Sequence, residues 1–199
     1  MIEKEYPVSF EVEGPIAMFA RPDTGAAPVS YPVPTKSALK GMFESVAFSK
    51  YAYFEPKRVE ICSPIVYRRY TTNYRGPLKK ISTQNFQLIV TVLENVCYKV
   101  YGVILSYSPP RKGENHQHKL QELFMRRLRL GQFYTTPYLG WKEFVPTYFG
   151  CIRDNTETDK SINLIIPSML TTMYDRPTDG NVSPQYEQEI KIEGGVMFC

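Results

Sequence analysis

The sequence predicts an α+β fold built as one domain, with two helices set among strands. Three observations carry this. Residues 7–13 alternate apolar and polar side chains, two segments (36–48 and 114–130) carry apolar residues at helical spacing, and a Val-, Ile-, Leu- and Tyr-rich stretch lies between them. A chain of 199 residues can bury one sizeable core, and two domains would be cramped. The whole chain, 1–199, is therefore expected to be a single unit with a core over about 6–150 and a C-terminal extension over about 151–199.

The elements follow in chain order. Val8, Phe10 and Val12 point one way and Ser9, Glu11 and Glu13 the other, which is the pattern of a half-buried strand. Residues 20–34, with Pro22, Gly25, Pro28 and Pro32, read as an irregular loop. Thr35 is a good N-cap, and Ala38, Leu39, Met42, Phe43, Val46 and Ala47 then form a wide apolar helical face over 36–48. A strand is expected at 58–66. Residues 67–82 are polar, basic and Tyr-rich, and read as a hairpin or loop projecting from the body. Phe86–Leu93 and Val96–Tyr107 read as two strands joined by a tight turn at Glu94-Asn95, with Pro109-Pro110 stopping the second. Glu114–Leu130 is a second amphipathic helix with Leu120, Leu123, Phe124 and Leu128 on one side, ended by Gly131. A loop and a further strand fill 132–150. An acidic loop follows at 154–160, then a strand at 162–166 and one more in the tail 186–199. Strand, helix, strand, strand pair, helix, strand is the order of a ferredoxin-like (RRM-like) core, here with an inserted basic hairpin and a C-terminal β extension.

Composition narrows the function. The net charge of +4 is modest. Its distribution is more telling, because cations gather at 68–80 and 119–129 and acids at 154–159 and 185–193, and a local basic patch is what a polyanion selects. No apolar run approaches the ~20 residues of a membrane helix, and no secretory leader is visible, so the expected location is the cytoplasm, with no membrane partner. The four cysteines form no C-x-x-C pair, which argues against a zinc cluster or disulfide framework and fits a reduced compartment.

Two stretches carry recognisable chemistry. The first is Tyr67-Arg68-Arg69-Tyr70 through Tyr74-Arg75, with Lys79-Lys80 behind it. It interleaves rings with cations, as a single-stranded nucleic acid requires: cations meet phosphates and flat rings meet unpaired bases. The second is the start of the second helix, where Asn115, His116, His118 and Lys119 stand together. Histidine suits proton transfer near neutrality. His116 and His118, two apart, do not face the same way on a helix, and no H-E-x-x-H or D-x-D motif accompanies them, so neither a metal nor another cofactor is expected. Arg126, Arg127 and Arg129 offer a further phosphate-binding face, and Gln132 and Tyr138 a loop beside it. Lys36 and Lys40 flank the start of the first helix, a place that attracts phosphate. All these groups are expected to converge on one surface.

Ser30-Tyr31-Pro32-Val33-Pro34-Thr35, then Ala38, Gly41 and Glu44, resembles the SY-x-VPT…A-x-x-G-x-x-E pattern of the fifth family of CRISPR-associated (Cas) proteins, subtype I-C, also called Dvulg. Leu93-Glu94-Asn95-Val96 with Tyr98 is similar to that family's central strand pair. Phe124-Met125-Arg126-Arg127 with Arg129, Gly131 and Gln132, then Pro137-Tyr138-Leu139-Gly140 with Lys142-Glu143-Phe144, is similar to its F-x-RR-x-R-x-GQ…PYLG-x-REF run. The three blocks keep family order over roughly 8–150. The resemblance implies a RAMP-type ferredoxin-like fold and membership of the Cascade interference complex. There the partners are the large subunit, the repeated backbone subunit and, indirectly, target DNA. It also implies that the chain binds the 5′ handle of the guide crRNA.

In subtype I-C the resemblance further implies metal-independent cleavage of precursor RNA, by a Tyr after the first helix and an adjacent Lys-His opening the second. Here the Lys position is Lys119, but the His position reads Leu120 and the Tyr position Ala47. His116 and His118 are the candidate substitutes for the histidine, and Tyr51 or Tyr53 for the tyrosine. The implied roles are therefore RNA binding in antiviral defence, with an endoribonuclease activity carried by Lys119, His118 and His116, or RNA binding alone with processing done elsewhere.

Overall fold

The computed structural model describes residues 5–75, 85–107, 114–173 and 183–199. Eight strands and two helices are present among them: β1 Pro7–Ala17, α1 Lys36–Val46, β2 Ala52–Ile61, β3 Val66–Arg75, β4 Asn85–Ser106, α2 His116–Leu130, β5 Tyr148–Gly150, β6 Leu164–Thr172, β7 Gln185–Glu193 and β8 Val196–Phe198. One antiparallel sheet runs in the order β5-β1-β4-β2-β8-β7-β6, and β3 pairs with the first half of β4. The sheet curls, and both α1 and the far strand β6 meet on its inner side.

The alternation read at residues 7–13 is the reason β1 can sit centrally. Phe10 faces the helices and is fully buried, with its ring 4.8 Å from Phe43 of α1 and stacked at 4.5 Å on Phe149 of β5. Phe43 stacks on Phe54 of β2, and Phe124 of α2 tilts against both. These rings tie both helices to three strands, each pair contributing about 0.5–1.5 kcal/mol beyond its burial. Gly102 of β4 lies beneath Phe43: a Cβ there would stand 3.0 Å from the ring tip. Buried residues of the C-terminal strands, Met169, Ile190, Ile192 and Met197, join the same cluster.

The helices start and stop as their sequences require. Thr35 caps α1, its Oγ1 accepting from the Ala38 N–H at 3.2 Å. The Asn115 Oδ1 caps α2 by accepting from the His118 N–H at 2.9 Å. Gly131 ends α2 in the left-handed region (φ 62), and the Gln132 N–H donates back to the Arg127 carbonyl.

The strand boundaries need correction in three places. Glu94-Asn95 is not a turn: β4 runs unbroken from Asn85 to Ser106, and β1 pairs across the site, Ile16 with Glu94 and Gly14 with Val96. Asn95 adopts φ 51, a left-handed conformation that asparagine tolerates, so the strand kinks without reversing. The strand placed at 58–66 instead runs 52–61 and breaks at 62–65 opposite that kink, and residues 66–75 are a regular strand, β3. The tail contributes β7 and β8, joined through Gly194 and Gly195 at φ 56 and 76, where the expectation was one strand. The strand stop at Pro109-Pro110 lies outside the described residues.

Glu11, read as facing outward, is fully buried. The segment 153–159 crosses the sheet's polar face and covers it. The Glu11 carboxylate accepts from the Arg153 N–H (2.8 Å), Arg153 Nε (2.7 Å) and the Thr156 hydroxyl (2.7 Å). Lys99 of β4 donates to the Thr156 carbonyl, and Thr158 to Glu60 of β2. Burial works to raise the Glu11 carboxyl, but these hydrogen bonds and the guanidinium charge outweigh it and hold the group below its ordinary value.

Candidate RNA interface

The first turn of α2 is anchored from several directions. The Gln117 side chain donates to the Ile104 carbonyl at the end of β4, Gln121 to the Pro7 carbonyl of β1, and Asn115 Nδ2 to the Tyr6 hydroxyl. Leu120, Phe124 and Leu128 form the buried stripe. This leaves His116, His118 and Lys119 at the rim. The His116 ring stacks on Tyr51 at 4.6 Å and 18°, with Glu114 3.3 Å from its Nε2. His118 lies 3.4 Å from Glu122, one turn on, and its ring is 6.3 Å from Tyr6. Lys119 is exposed.

Of the two tyrosine substitutes, the structure brings Tyr51 to His116. Tyr53 stacks instead on Tyr107 at 4.6 Å, and Lys40 sits 5.4 Å above its ring. Ala47 and Leu120, at the positions where the resemblance implies Tyr and His, are both buried and pack in the core. Chemically, the first turn of α2 carries an imidazole stacked on a phenol at His116 and, toward the outer groove, a second imidazole and an ammonium group at His118 and Lys119. Groups of these kinds can take a proton from a 2′-hydroxyl, protonate a 5′-oxygen and steady a phosphorane.

Several cations read as RNA contacts are engaged within the protein. Lys36 pairs with Glu55 at 2.7 Å; burial works to lower its ammonium, and the bond and charge of Glu55 outweigh this and raise it. Arg127 donates to the Val46 carbonyl at 3.1 Å, and Arg68 pairs with Glu94 at 3.0 Å. Tyr70 packs edge-on against Phe144, 5.5 Å away. Arg69 and Tyr67 are exposed on β3; Arg126, Arg129 and Lys119 line the outer groove of α2; and Gln132 and Tyr138 are exposed beyond it. Tyr74 and Arg75 continue β3, while Lys79 and Lys80 lie outside the described residues.

The expected single surface is divided. Arg69 sits opposite Thr91, and the head of α2 bonds Ile104, about 13 residues further along β4. At ~3.4 Å per residue this is on the order of 40 Å of strand. A turn at 94–95 would have folded the hairpin back beside α2; the continuous strand carries it away. The cations therefore form two groups, one on the β3 arm and one on α2.

Sequence reasoning missed two features. Thr35, Ala38 and Gly41 of the first motif block and Tyr138 and Gly140 of the third line one cleft of about 320 Å³, which Met18 and Leu170 also line. The ordered motif blocks were the available signal, since residues sharing a pattern across 100 positions tend to share a place. The second feature is a thiol pair: the Cys62 N–H donates to the Cys97 carbonyl at 2.9 Å, setting two residues far apart in sequence opposite each other.

Comparison with known proteins follows the same lines. The family described as "CRISPR-associated protein (Cas_Cas5)", in its Cas5d form, matches residues 8–161. A CRISPR pre-crRNA endoribonuclease Cas5d from Thermus thermophilus is 32% identical over 165 residues, covering 80% of this chain and 70% of its own. A protein of the same name from Mannheimia succiniciproducens is 25% identical over 167 residues, covering 74% and 73%. Among solved structures, a CRISPR-associated protein superposes with a TM-score of 0.71 at 17% identity, covering 97% of this chain and 91% of its own. A functionally uncharacterized protein from Streptococcus mutans superposes at 0.70 and 16%, with the same coverage.

Proposed function

The chain belongs to the Cas5d family of CRISPR-associated proteins, and on that premise we propose that it binds the repeat-derived 5′ handle of the guide crRNA and cleaves precursor RNA at the head of α2. The observation that carries this is the Tyr51–His116 stack beside His118 and Lys119 in a chain whose relatives are named pre-crRNA endoribonucleases. One rim group takes the proton from a 2′-hydroxyl, the oxygen attacks the adjacent phosphorus in line, Lys119 balances the added charge, and a second rim group protonates the departing 5′-oxygen. The products are a 2′,3′-cyclic phosphate and a 5′-hydroxyl, and no metal takes part.

The fold reading supports this. The order β5-β1-β4-β2, with β1 and β4 central, supports reading the core as a ferredoxin-like RAMP fold. In this reading 1–199 is one RNA-binding domain, β3 with the first half of β4 is the inserted basic arm, and 151–199 is the extension. The chain then caps the Cascade backbone in the cytoplasm, beside the large subunit and the repeated backbone subunit, and meets target DNA indirectly. Lys119, His116 and His118 are its catalytic residues; Arg69, Tyr67, Arg126, Arg129, Gln132 and Tyr138 are its RNA contacts.

A second reading, an RNA-binding subunit with processing done elsewhere, is favoured by buried Leu120 and Ala47, which stand where the family's His and Tyr would be. Purified protein incubated with repeat RNA in EDTA separates the two. A single cut, lost in Lys119→Ala with binding intact and blocked by a 2′-deoxy substitution at the cut site, supports the nuclease. Tight binding without a cut assigns the second reading. Binding no tighter than to an unrelated RNA overturns both.

A further inference from the structure

The loop between α1 and β2 holds an aromatic surface that the reaction scheme leaves unused. Phe48 is 44% exposed and Tyr134, from the loop after α2, 58%; their rings stack on each other at 5.9 Å and 16°. Tyr51, three residues from Phe48, is also 58% exposed. Lys50, between them, is exposed as well. Two stacked pairs, Phe48–Tyr134 and Tyr51–His116, thus lie side by side. Three residues of chain place Phe48 and Tyr51 at most about 11 Å apart.

These rings do not fill the core, yet the backbone beneath them is firmly held. Ala47 is fully buried just before Phe48. The Ser45 carbonyl, one of the last four of α1, accepts from both the Tyr134 and Thr135 N–H groups, at 2.8 and 3.0 Å. Arg127 fastens the Val46 carbonyl, and the Tyr107 N–H fastens that of Tyr51. Rings presented to water on a fixed frame lose little entropy when something flat settles on them. Lys50, exposed in the same loop, suits a ligand that is both flat and anionic; of the acids at the head of α2, Glu114 faces His116 and Glu122 faces His118.

We propose that Phe48 and Tyr134 form a platform on which one unpaired nucleobase of the RNA stacks, holding the adjoining 2′-hydroxyl toward the head of α2. This rests on the RNA-binding reading above and names the part of the chain that positions the strand. Stacking tolerates any base, so the platform fixes register and the sequence preference comes from elsewhere.

The test is a binding cycle with a fluorescein-labelled single-stranded RNA of the repeat carried by the same genome. It uses wild type, Phe48→Ala/Tyr134→Ala and Phe48→Trp, with melting temperatures as the fold control. The double variant is expected to bind about 5- to 150-fold more weakly, the range for losing one base–ring stack. Phe48→Trp is expected to keep or raise affinity. An abasic residue walked along the RNA is expected to weaken wild type at one or two positions where the double variant is indifferent. Equal affinity of wild type and double variant, with no position that distinguishes them, overturns the platform alone. Equal RNA affinity with lost capture of the neighbouring Cascade subunits assigns the patch to protein and also overturns it. Failure of wild type itself to prefer repeat RNA overturns both this inference and the reading beneath it.

Discussion

Replacing Glu11 with Gln tests the logic of the covered sheet face. The carboxylate accepts three hydrogen bonds of 2.7–2.8 Å from Arg153 and Thr156 and is wholly buried. Glutamine keeps the shape but removes the charge, and its amide nitrogen would turn donors against the donors of Arg153. Charge-assisted bonds contribute about 1.5–3 kcal/mol each, but Arg153 retains Glu13 as a partner, so the net cost is about 2–4 kcal/mol. Unfolding entropy of ~2.1 cal/mol/K per residue over this length gives roughly 0.4 kcal/mol/K, hence a Tm lowered by about 5–10 °C at pH 7. The pH dependence has a definite sign. Because the folded Glu11 carboxyl lies below its ordinary value, its contribution is present above the unfolded pKa and is lost as pH falls through the folded one. Melting curves of wild type and Glu11→Gln should therefore converge as the pH drops below about 4. A Tm loss under about 2 °C at pH 7, or a gap that stays constant on acidification, would refute the reasoning.

Further outcomes follow from single positions. Gly140→Ala should be severely destabilising, by more than about 3 kcal/mol, because its φ is +87 and a Cβ would stand 1.8 Å from the Met18 carbonyl oxygen; chemical denaturation reads this directly. Gly41→Ala, where a Cβ meets nothing within 4 Å, should raise stability by about 1 kcal/mol in the same assay. If it also weakens RNA binding, the cleft beside α1 holds part of the strand. The hydrogen bond from Cys97 holds the Cys62 thiol below its ordinary pKa, while that same bond and burial push Cys97 up. Iodoacetamide at pH 8 followed by mass spectrometry should therefore label Cys62 ahead of Cys97, and Cys97→Ser should alter the Cys62 rate.

Much of the fold was legible because its signals are local. Alternation fixed β1, helical spacing and the caps Thr35, Asn115 and Gly131 fixed α1 and α2, and each of these depends on neighbours in sequence. The reading failed where distant chain decides. Asn95 looks like half of a turn, and only the pairing of Gly14 and Ile16 across it keeps β4 extended. Glu11 looks like a solvent-facing residue, and Arg153 and Thr156, more than 140 positions away, make its burial tolerable. The site shows the same division. His116, His118 and Lys119 were readable from spacing along one helix, and the partnership of His116 with Tyr51 needed the fold. The separation of the β3 cations from those of α2 followed from the misread turn.

The strap of residues 153–159 spans all three central strands, bonding Glu11 of β1, Lys99 of β4 and Glu60 of β2. In an uncovered sheet of this order, those strands would offer bases a broad flat bed. Here that bed is already taken by the chain's own backbone and carboxylates, and Arg58 lies over Tyr101 rather than over a guest. Any guest strand must be read from loops, helix rims and the projecting arm, so changes in RNA preference should arise there, while substitutions beneath the strap register as losses of stability.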